Sequence, residues 1–508
     1  MLTHIHRLSA AALVSACLVS PHALAETPQG AADRLDAFLD GIDGPQPGFA
    51  IVVADRDTVL LERVSGTTRA SGGTPLSADT PLYIASQTKA YLGLLAARLD
   101  AEGILPLDST IADHWPGIDL PGEADAAQWT MRDLLTHQVP ISVDLLTELE
   151  AYVTRVDPAA YPRLIETYGE AREPGFDYSN LGYNIYAAIL ETRTGISWQD
   201  WLDRAIFEPM GWEASSARTS DFAPEILPWN HVWLGEADGW FELPPKSDAI
   251  MQSAGGLMVS PNDMVEWLQL NLRGEGPAGS GLTADMIATA HTSGVATHQE
   301  DGRNAYQMPC SGYALGWHVC SFNEETVYVH GGGYTGARSV MAFMPDSGVG
   351  LATFSNSDAQ TGWFSGRILT QFLLYLTDDE TADETAAGLL EAYPDRVGRF
   401  AEFRAGRRET AREAEDWQGW TWAPDNLADY AGRWTTGDDW FDLMLSVEGE
   451  GLVARWGEAR YGLEPAAPDL FGATVTPVDR PDPLSFERDE TGAIATLSFQ
   501  GRTYRRSE

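Results

Sequence analysis

Ala85-Ser86-Gln87-Thr88-Lys89-Ala90-Tyr91-Leu92-Gly93-Leu94-Leu95-Ala96-Ala97-Arg98-Leu99 opens on a serine, places a lysine three positions later and runs on as an apolar-faced helix. Leu92, Leu95, Ala96 and Leu99 recur at helical spacing, and Gly103 stops the run. Positions three apart share one helical face, about 5–6 Å apart at Cβ, so the Lys89 amine can fold back towards the Ser86 hydroxyl. A helix N-terminus adds free N–H groups and the positive end of the helix dipole, both of which stabilise a developing oxyanion. Composition singles the lysine out: of 33 basic residues, only Lys89 and Lys246 are lysines. Arginine cannot replace an amine that has to lose a proton, because guanidinium stays charged at any workable pH. Ser-x-x-Lys is common by chance, so the pair needs partners elsewhere in the chain.

Two further stretches supply them. In Pro174-Gly175-Phe176-Asp177-Tyr178-Ser179-Asn180-Leu181-Gly182-Tyr183, a tyrosine phenol can share a proton with a desolvated ammonium. Asn180 offers a donor and an acceptor to orient the lysine and a substrate amide. His330-Gly331-Gly332-Gly333 ends a strand in glycines, which lets substrate approach the main chain and offers an N–H as an oxyanion donor. Taken singly, the first is a loop before a helix and the second a glycine turn.

Together, in this order and at these separations, the three stretches resemble the penicillin-recognising serine hydrolases, the superfamily of class C-like serine β-lactamases, DD-peptidases and family VIII esterases of peptidase S12 type. The likeness covers most of residues 31–376 and includes Leu134-Leu135-Thr136-His137, Phe207-Glu208-Pro209-Met210-Gly211, Ala254-Gly255-Gly256-Leu257 and Tyr313-Ala314-Leu315-Gly316-Trp317. The resemblance implies Ser86 as nucleophile and Lys89 as its base. It implies Tyr178 as proton relay to the leaving group, and Asn180, His330 and Gly332 as the substrate-side positions. The main-chain N–H groups of Ser86 and Gly333 would form the oxyanion hole. Leu427-Ala428-Asp429-Tyr430-Ala431-Gly432-Arg433-Trp434 resembles the lipocalin-like β domain that some members carry. Two departures bear on substrate. His330 stands where β-lactamases often have lysine, and a neutral imidazole attracts a carboxylate poorly. Gln138-Val139-Pro140-Ile141 replaces the usual continuation after His137 and reshapes one cleft wall. Arg338 could bind a carboxylate instead, although a surface salt bridge is the ordinary reading of such an arginine.

Working outward, Ala31 to Asp40 has helical spacing, and Phe49–Ala54 with Val59–Val64 reads as a hairpin around Asp55-Arg56-Asp57. Residues 85–279 are mostly helical in texture, with a marked start at Ser260-Pro261-Asn262-Asp263: Ser as N-cap, Pro first in the helix and an acid at N3. Leu315–Val319, Thr326–Val329, Ser339–Met344 and Val349–Phe354 read as strands, and a helix over Trp363–Leu376 follows. Strands at both ends of a helical insert predict an α+β fold: an antiparallel sheet flanked by helices, with a helical lobe and a cleft beside it. Residues 381–420 read as a helical connector and 421–508 as a small antiparallel β-barrel-like domain, which makes 26–380 the hydrolase domain.

The acidic balance, 74 Asp and Glu against 33 Lys and Arg for a net charge of −41, excludes nucleic acid as a partner, because phosphate backbones need clustered cations. Arg7, the apolar stretch Leu8–Val19 and Ala23-Leu24-Ala25 read as an export signal spanning 1–25, giving a periplasmic or secreted protein. Val14-Ser15-Ala16-Cys17 offers the alternative of a lipid-anchored Cys17. No other run is apolar enough to be read as a transmembrane span. After signal removal Cys310 and Cys320 remain. If Tyr313–Val319 is one strand they stand ~20 Å apart, beyond disulfide reach, and a bridge needs a turn near Gly312; both outcomes stay open. The histidines show no metal-ligand spacing, and no cofactor is implied. The expected function is a serine hydrolase cleaving an amide or ester through a Ser86 acyl-enzyme, peptidase- or esterase-like rather than an efficient β-lactamase. The alternative is a catalytically slow or silent binding or sensing protein on the same scaffold.

Overall fold

The computed structural model describes residues 27–42, 47–358, 361–414, 422, 424, 426–437 and 442–507. The expected signal peptide over 1–25, Cys17 and the end of the connector at 415–420 lie outside them. Strands β1 (Gly48–Asp55) and β2 (Val59–Gly66) form the hairpin read from the sequence. Six more come from far along the chain: β3 (Val295–Gln299), β4 (Cys310–Tyr313), β5 (His318–Phe322), β6 (Glu325–Tyr334), β7 (Ala337–Met344) and β8 (Val349–Ser355). The sheet order is β2-β1-β8-β7-β6-β5-β4-β3, antiparallel throughout, so the N-terminal hairpin closes onto the last strand.

Strand alternation sorts the core into two layers. Ile51 and Val53 of β1 face helices α1 (Pro28–Asp40) and α5 (Thr361–Leu376), with Leu351 of β8 beside them. Ala50, Val52 and Ala54 face the other way, towards the helical lobe. That lobe is built around α2 (Thr88–Ala101), α3 (Leu181–Thr194) and α4 (Pro261–Arg273). Ser260 caps α4 as its sequence predicts, accepting the Asp263 N–H at 3.0 Å. Helix α2 departs from the one-faced pattern: Tyr91, Leu92, Leu94, Leu95, Ala96, Ala97 and Leu99 are all buried, so it runs through the core and is apolar nearly all round.

Of the Leu315–Val319 strand expected from the sequence, only His318 and Val319 are extended, at the start of β5, and 314–317 is not strand. The chain turns there, with Gly316 at φ +86° against the main chain of Lys89 and Ala90, a position and conformation that a Cβ would obstruct. The turn folds β5 back on β4, sets Cys310 directly opposite Cys320 with Cα atoms 3.8 Å apart, and joins them in a disulfide. Apolar Leu315 and Trp317 imitate a strand because the turn itself is buried in the core.

Helix α6 (Ala382–Ala414) leads towards an eight-stranded closed antiparallel barrel, β9 (Gly432–Thr435), β10 (Leu443–Glu448), β11 (Gly451–Trp456), β12 (Ala459–Ala467), β13 (Leu470–Thr474), β14 (Asp482–Arg488), β15 (Ile494–Phe499) and β16 (Arg502–Arg506). Closure is by Trp434 of β9 against Arg506 of β16. The barrel rests on the helical lobe: Glu458 N–H donates to the Val153 carbonyl at 2.8 Å, and Gln500 Nε2 donates to Glu148 Oε1 at 3.2 Å.

Candidate active site

Ser86 sits in the middle of a tight turn, Ala85–Gln87, that feeds α2. Ala85 is held at φ +48°, a conformation unfavourable for any residue with a Cβ and one that persists only where surrounding structure fixes it. What fixes it is visible next door. A Cβ on Gly332 would lie 2.0 Å from the Ile84 carbonyl oxygen, so glycine lets β6 press directly against the turn. The same Ile84 carbonyl accepts the Ser339 hydroxyl from β7 at 3.0 Å. Gly332 therefore serves contact between strand and turn, where the sequence had suggested room for substrate.

Lys89 lies one helical turn beyond Ser86 and is fully buried. Its Nζ is 3.3 Å from Ser86 Oγ, 2.8 Å from Asn180 Oδ1 and 2.8 Å from the Ala254 carbonyl oxygen. Burial holds the ammonium well below the ordinary lysine value, and no carboxylate pairs with it among the described residues. The two shorter partners can only accept, so they take two N–H bonds of the amine and leave its remaining position directed at Ser86 Oγ.

Tyr178 stands on the opposite side of the same amine, which lies 4.9 Å from the centre of its ring. Crowding by the protein raises its phenol above the ordinary tyrosine range, and a hydrogen bond with the Ser86 hydroxyl acts in the other direction. The residue is 39% exposed and lines the cleft. The phenol therefore holds its proton more tightly than an ordinary tyrosine, while burial favours the uncharged form of the amine beside it.

His330 is 1% exposed and has its protonation suppressed, first by burial and then by His318 and Lys89. Nδ1 is 2.7 Å from the Gly331 carbonyl, which can only accept, so Nδ1 carries the hydrogen. Nε2 is then the acceptor of the Tyr313 hydroxyl at 3.1 Å. His330 is a neutral imidazole committed on both nitrogens. Gly333 and Arg338 line the cleft with Ser86, Tyr178 and His330, in a cavity of ≈ 480 Å³. Among the described residues Arg338 is not in the salt bridge expected of it: it donates to the carbonyls of Tyr334 and Ala337, the latter at 2.7 Å.

The structure thus brings together Ser86, Lys89, Tyr178, Asn180, His330, Gly332 and Gly333, taken from three separate stretches. Sequence reasoning missed their supports. His137, at φ +60°, accepts the Ser179 N–H on Nδ1 at 3.2 Å and packs 4.6 Å from the Tyr178 ring, which fixes the tyrosine loop. Tyr306 Oη accepts the Gly331 N–H at 2.9 Å, and His318 fills the space between Tyr178 and His330 with its protonation pushed down to about 4 by burial. A lone histidine after an apolar helix carries no spacing that announces such a role.

The Beta-lactamase family model matches residues 32–371. Penicillin-binding protein 4 of Amycolatopsis lactamdurans is 27% identical over 343 residues, 66% of this chain and 86% of that protein. Protein flp of Staphylococcus aureus is 21% identical over 62% of this chain, and the match spans 61% of flp's length. Among solved structures, the octameric penicillin-binding protein homologue from Pyrococcus abyssi superposes with a TM-score of 0.54 at 19% identity, over 93% of this chain and 99% of that one. D-amino acid amidase from Ochrobactrum anthropi SV3, complexed with L-phenylalanine amide, gives 0.53 at 21% identity over 71% and 98%. The family match takes in well over half of the sequence and every residue of the cleft named above, and the chain belongs to the Beta-lactamase family.

Proposed function

We propose that the protein is an acyl hydrolase that works through a covalent Ser86 intermediate. The observation that carries this reading is the hydrogen-bond inventory of Lys89: Asn180 Oδ1 and the Ala254 carbonyl occupy two donors, and the remaining position faces Ser86 Oγ at 3.3 Å. Ser86 Oγ attacks the carbonyl carbon of an amide or ester while its proton passes to Lys89 Nζ. The N–H groups of Ser86 and Gly333 stabilise the oxyanion. Tyr178 hands a proton to the departing amine or alcohol and is reprotonated from Lys89. Water, deprotonated by the same amine, then releases the acyl group and restores Ser86.

The substrate class is an amide or ester other than a β-lactam. A buried neutral His330 offers no fixed positive charge for a β-lactam carboxylate. The D-amino acid amidase likeness favours small amides as first substrates to try. Export supports the same picture, since the Cys310–Cys320 disulfide belongs in an oxidising compartment. Steady-state rates on p-nitrophenyl esters, D-amino-acid amides and nitrocefin test the reading. Ester or amide turnover that disappears in Ser86→Ala is expected, and efficient nitrocefin hydrolysis alone overturns the substrate assignment.

A further inference from the structure

The second lysine is as buried as its role is unassigned. Lys246 is 6% exposed, and among the described residues it has no carboxylate partner. Three tyrosines enclose its amine: Tyr334 with its ring centre 4.6 Å away, Tyr83 at 5.6 Å and Tyr152 at 6.0 Å. Tyr83 and Tyr334 meet edge to face at 5.6 Å, and Tyr152 stacks on Tyr334 at 5.7 Å. Lys246 Nζ also lies 3.5 Å from Tyr83 Oη, whose own hydrogen is spent on the Gly255 carbonyl.

This cage adjoins the chemistry. Tyr83 is three residues before Ser86, Tyr334 follows Gly333, and the Gly255 carbonyl neighbours the Ala254 carbonyl that holds Lys89. Lys89 is held by the Ala254 carbonyl directly, and Lys246 reaches the next carbonyl, Gly255, through the Tyr83 hydroxyl. The opposite charge that reaches Lys246 through space is Glu150, and that carboxylate is already engaged by Val156 N–H and the Tyr161 hydroxyl, both at 2.9 Å. The cage is not sealed, since Tyr152 is 44% exposed and forms its outer wall. Arg338, on the cleft wall, also acts on Tyr152.

An unpaired amine in so dry a place is unfavourable, and burial pulls it down to about 7. A methionine would fill the same volume without that penalty. In a chain that otherwise carries arginine at its basic positions, a lysine remains where a compact cation fits between three rings and a planar guanidinium does not. An anionic group brought against the amine restores its charge and supplies the missing counter-ion in a medium where the attraction is strong.

We propose that Lys246, with Tyr83, Tyr152 and Tyr334, forms a second recognition point of the cleft that takes a carboxylate group of the substrate. The proposal rests on the reading of the cleft as an acyl-hydrolase site, but its test does not require turnover. Monobenzyl succinate and its neutral counterpart benzyl succinamate are titrated calorimetrically into Ser86→Ala protein, with Lys246 intact or replaced by Met. With Lys246 intact the acid is expected to bind more tightly than the amide. Lys246→Met should weaken the acid by about 10-fold or more and leave the amide within about 2-fold. If Lys246→Met does not fold, Lys246→Gln keeps a polar contact to Tyr83 without the charge and serves the same comparison. Equal affinities for acid and amide, no binding of either, or an equal loss for both on replacement overturns the subsite. The acyl-enzyme reading stands or falls separately on labelling of Ser86 in the wild-type chain.

Discussion

The cleft and the C-terminal barrel are built on opposite principles. In the barrel, Trp434, Phe471, Leu484, Leu497 and Tyr504 are all fully buried and fill the interior, and no His, Lys or Cys occurs anywhere after His330. In the cleft, a lysine and three histidines are buried with their protonation suppressed. Burying ionisable groups is unfavourable, so a fold tolerates it where reactivity depends on it. The barrel touches the hydrolase domain away from the cleft lining: its Gly457–Glu458 turn packs on Val153, whose carbonyl accepts the Glu458 N–H.

If that contrast is right, substitutions in the two regions separate activity from stability. The largest effect is expected for Ser86→Ala and Lys89→Met, each lowering kcat by about 10³-fold or more while the protein still melts cooperatively. Tyr178→Phe is expected to cost about 10²-fold in kcat, because it removes the proton carrier and leaves the base. Gly332→Ala comes next. Its Cβ would fall 2.0 Å from the Ile84 carbonyl, so the Ser86 turn must shift, and kcat should drop by about 10-fold with KM moving less. Trp434→Ala should do the reverse, destabilising the barrel by about 3–5 kcal/mol in a denaturant melt while kcat stays within about 3-fold. A barrel substitution that abolished turnover in still-folded protein would break the comparison.

The pH profile sharpens it. Burial lowers the Lys89 value, so the amine is neutral, and able to accept a proton, above that lowered value and is charged below it. Turnover is therefore expected to fall as pH drops through a midpoint well under the ordinary lysine value of about 10.4. A midpoint that does not move in Tyr178→Phe assigns that limb to the amine.

How much of this could be read in advance depended on whether chemistry or packing set the residue. Ser86, Lys89, Tyr178, Asn180 and His330 were legible because their functional groups constrain residue type and order. The Phe49–Val64 hairpin and the Ser260 cap were legible because local physics dictates them. The Cys310–Cys320 bond was not settled, because the turn at 314–317 is lined by residues whose burial against α2 makes them look like a strand. The all-round burial of α2 was hidden for a similar reason: its alanines and Gly93 read as neutral spacers. The supporting roles of His137, Tyr306 and His318 arise only from contacts between distant segments, and Arg338 was misjudged as an ion-pair residue because main-chain carbonyl acceptors leave no trace in sequence.

Intact-mass analysis after treatment with a fluorophosphonate probe tests the central claim most directly. Wild-type protein is expected to gain one adduct that maps to Ser86, with Ser86→Ala unlabelled and Lys89→Met labelled far more slowly. Adduct formation on Ser86→Ala, or equal labelling rates with and without the Lys89 amine, would contradict an amine-activated serine.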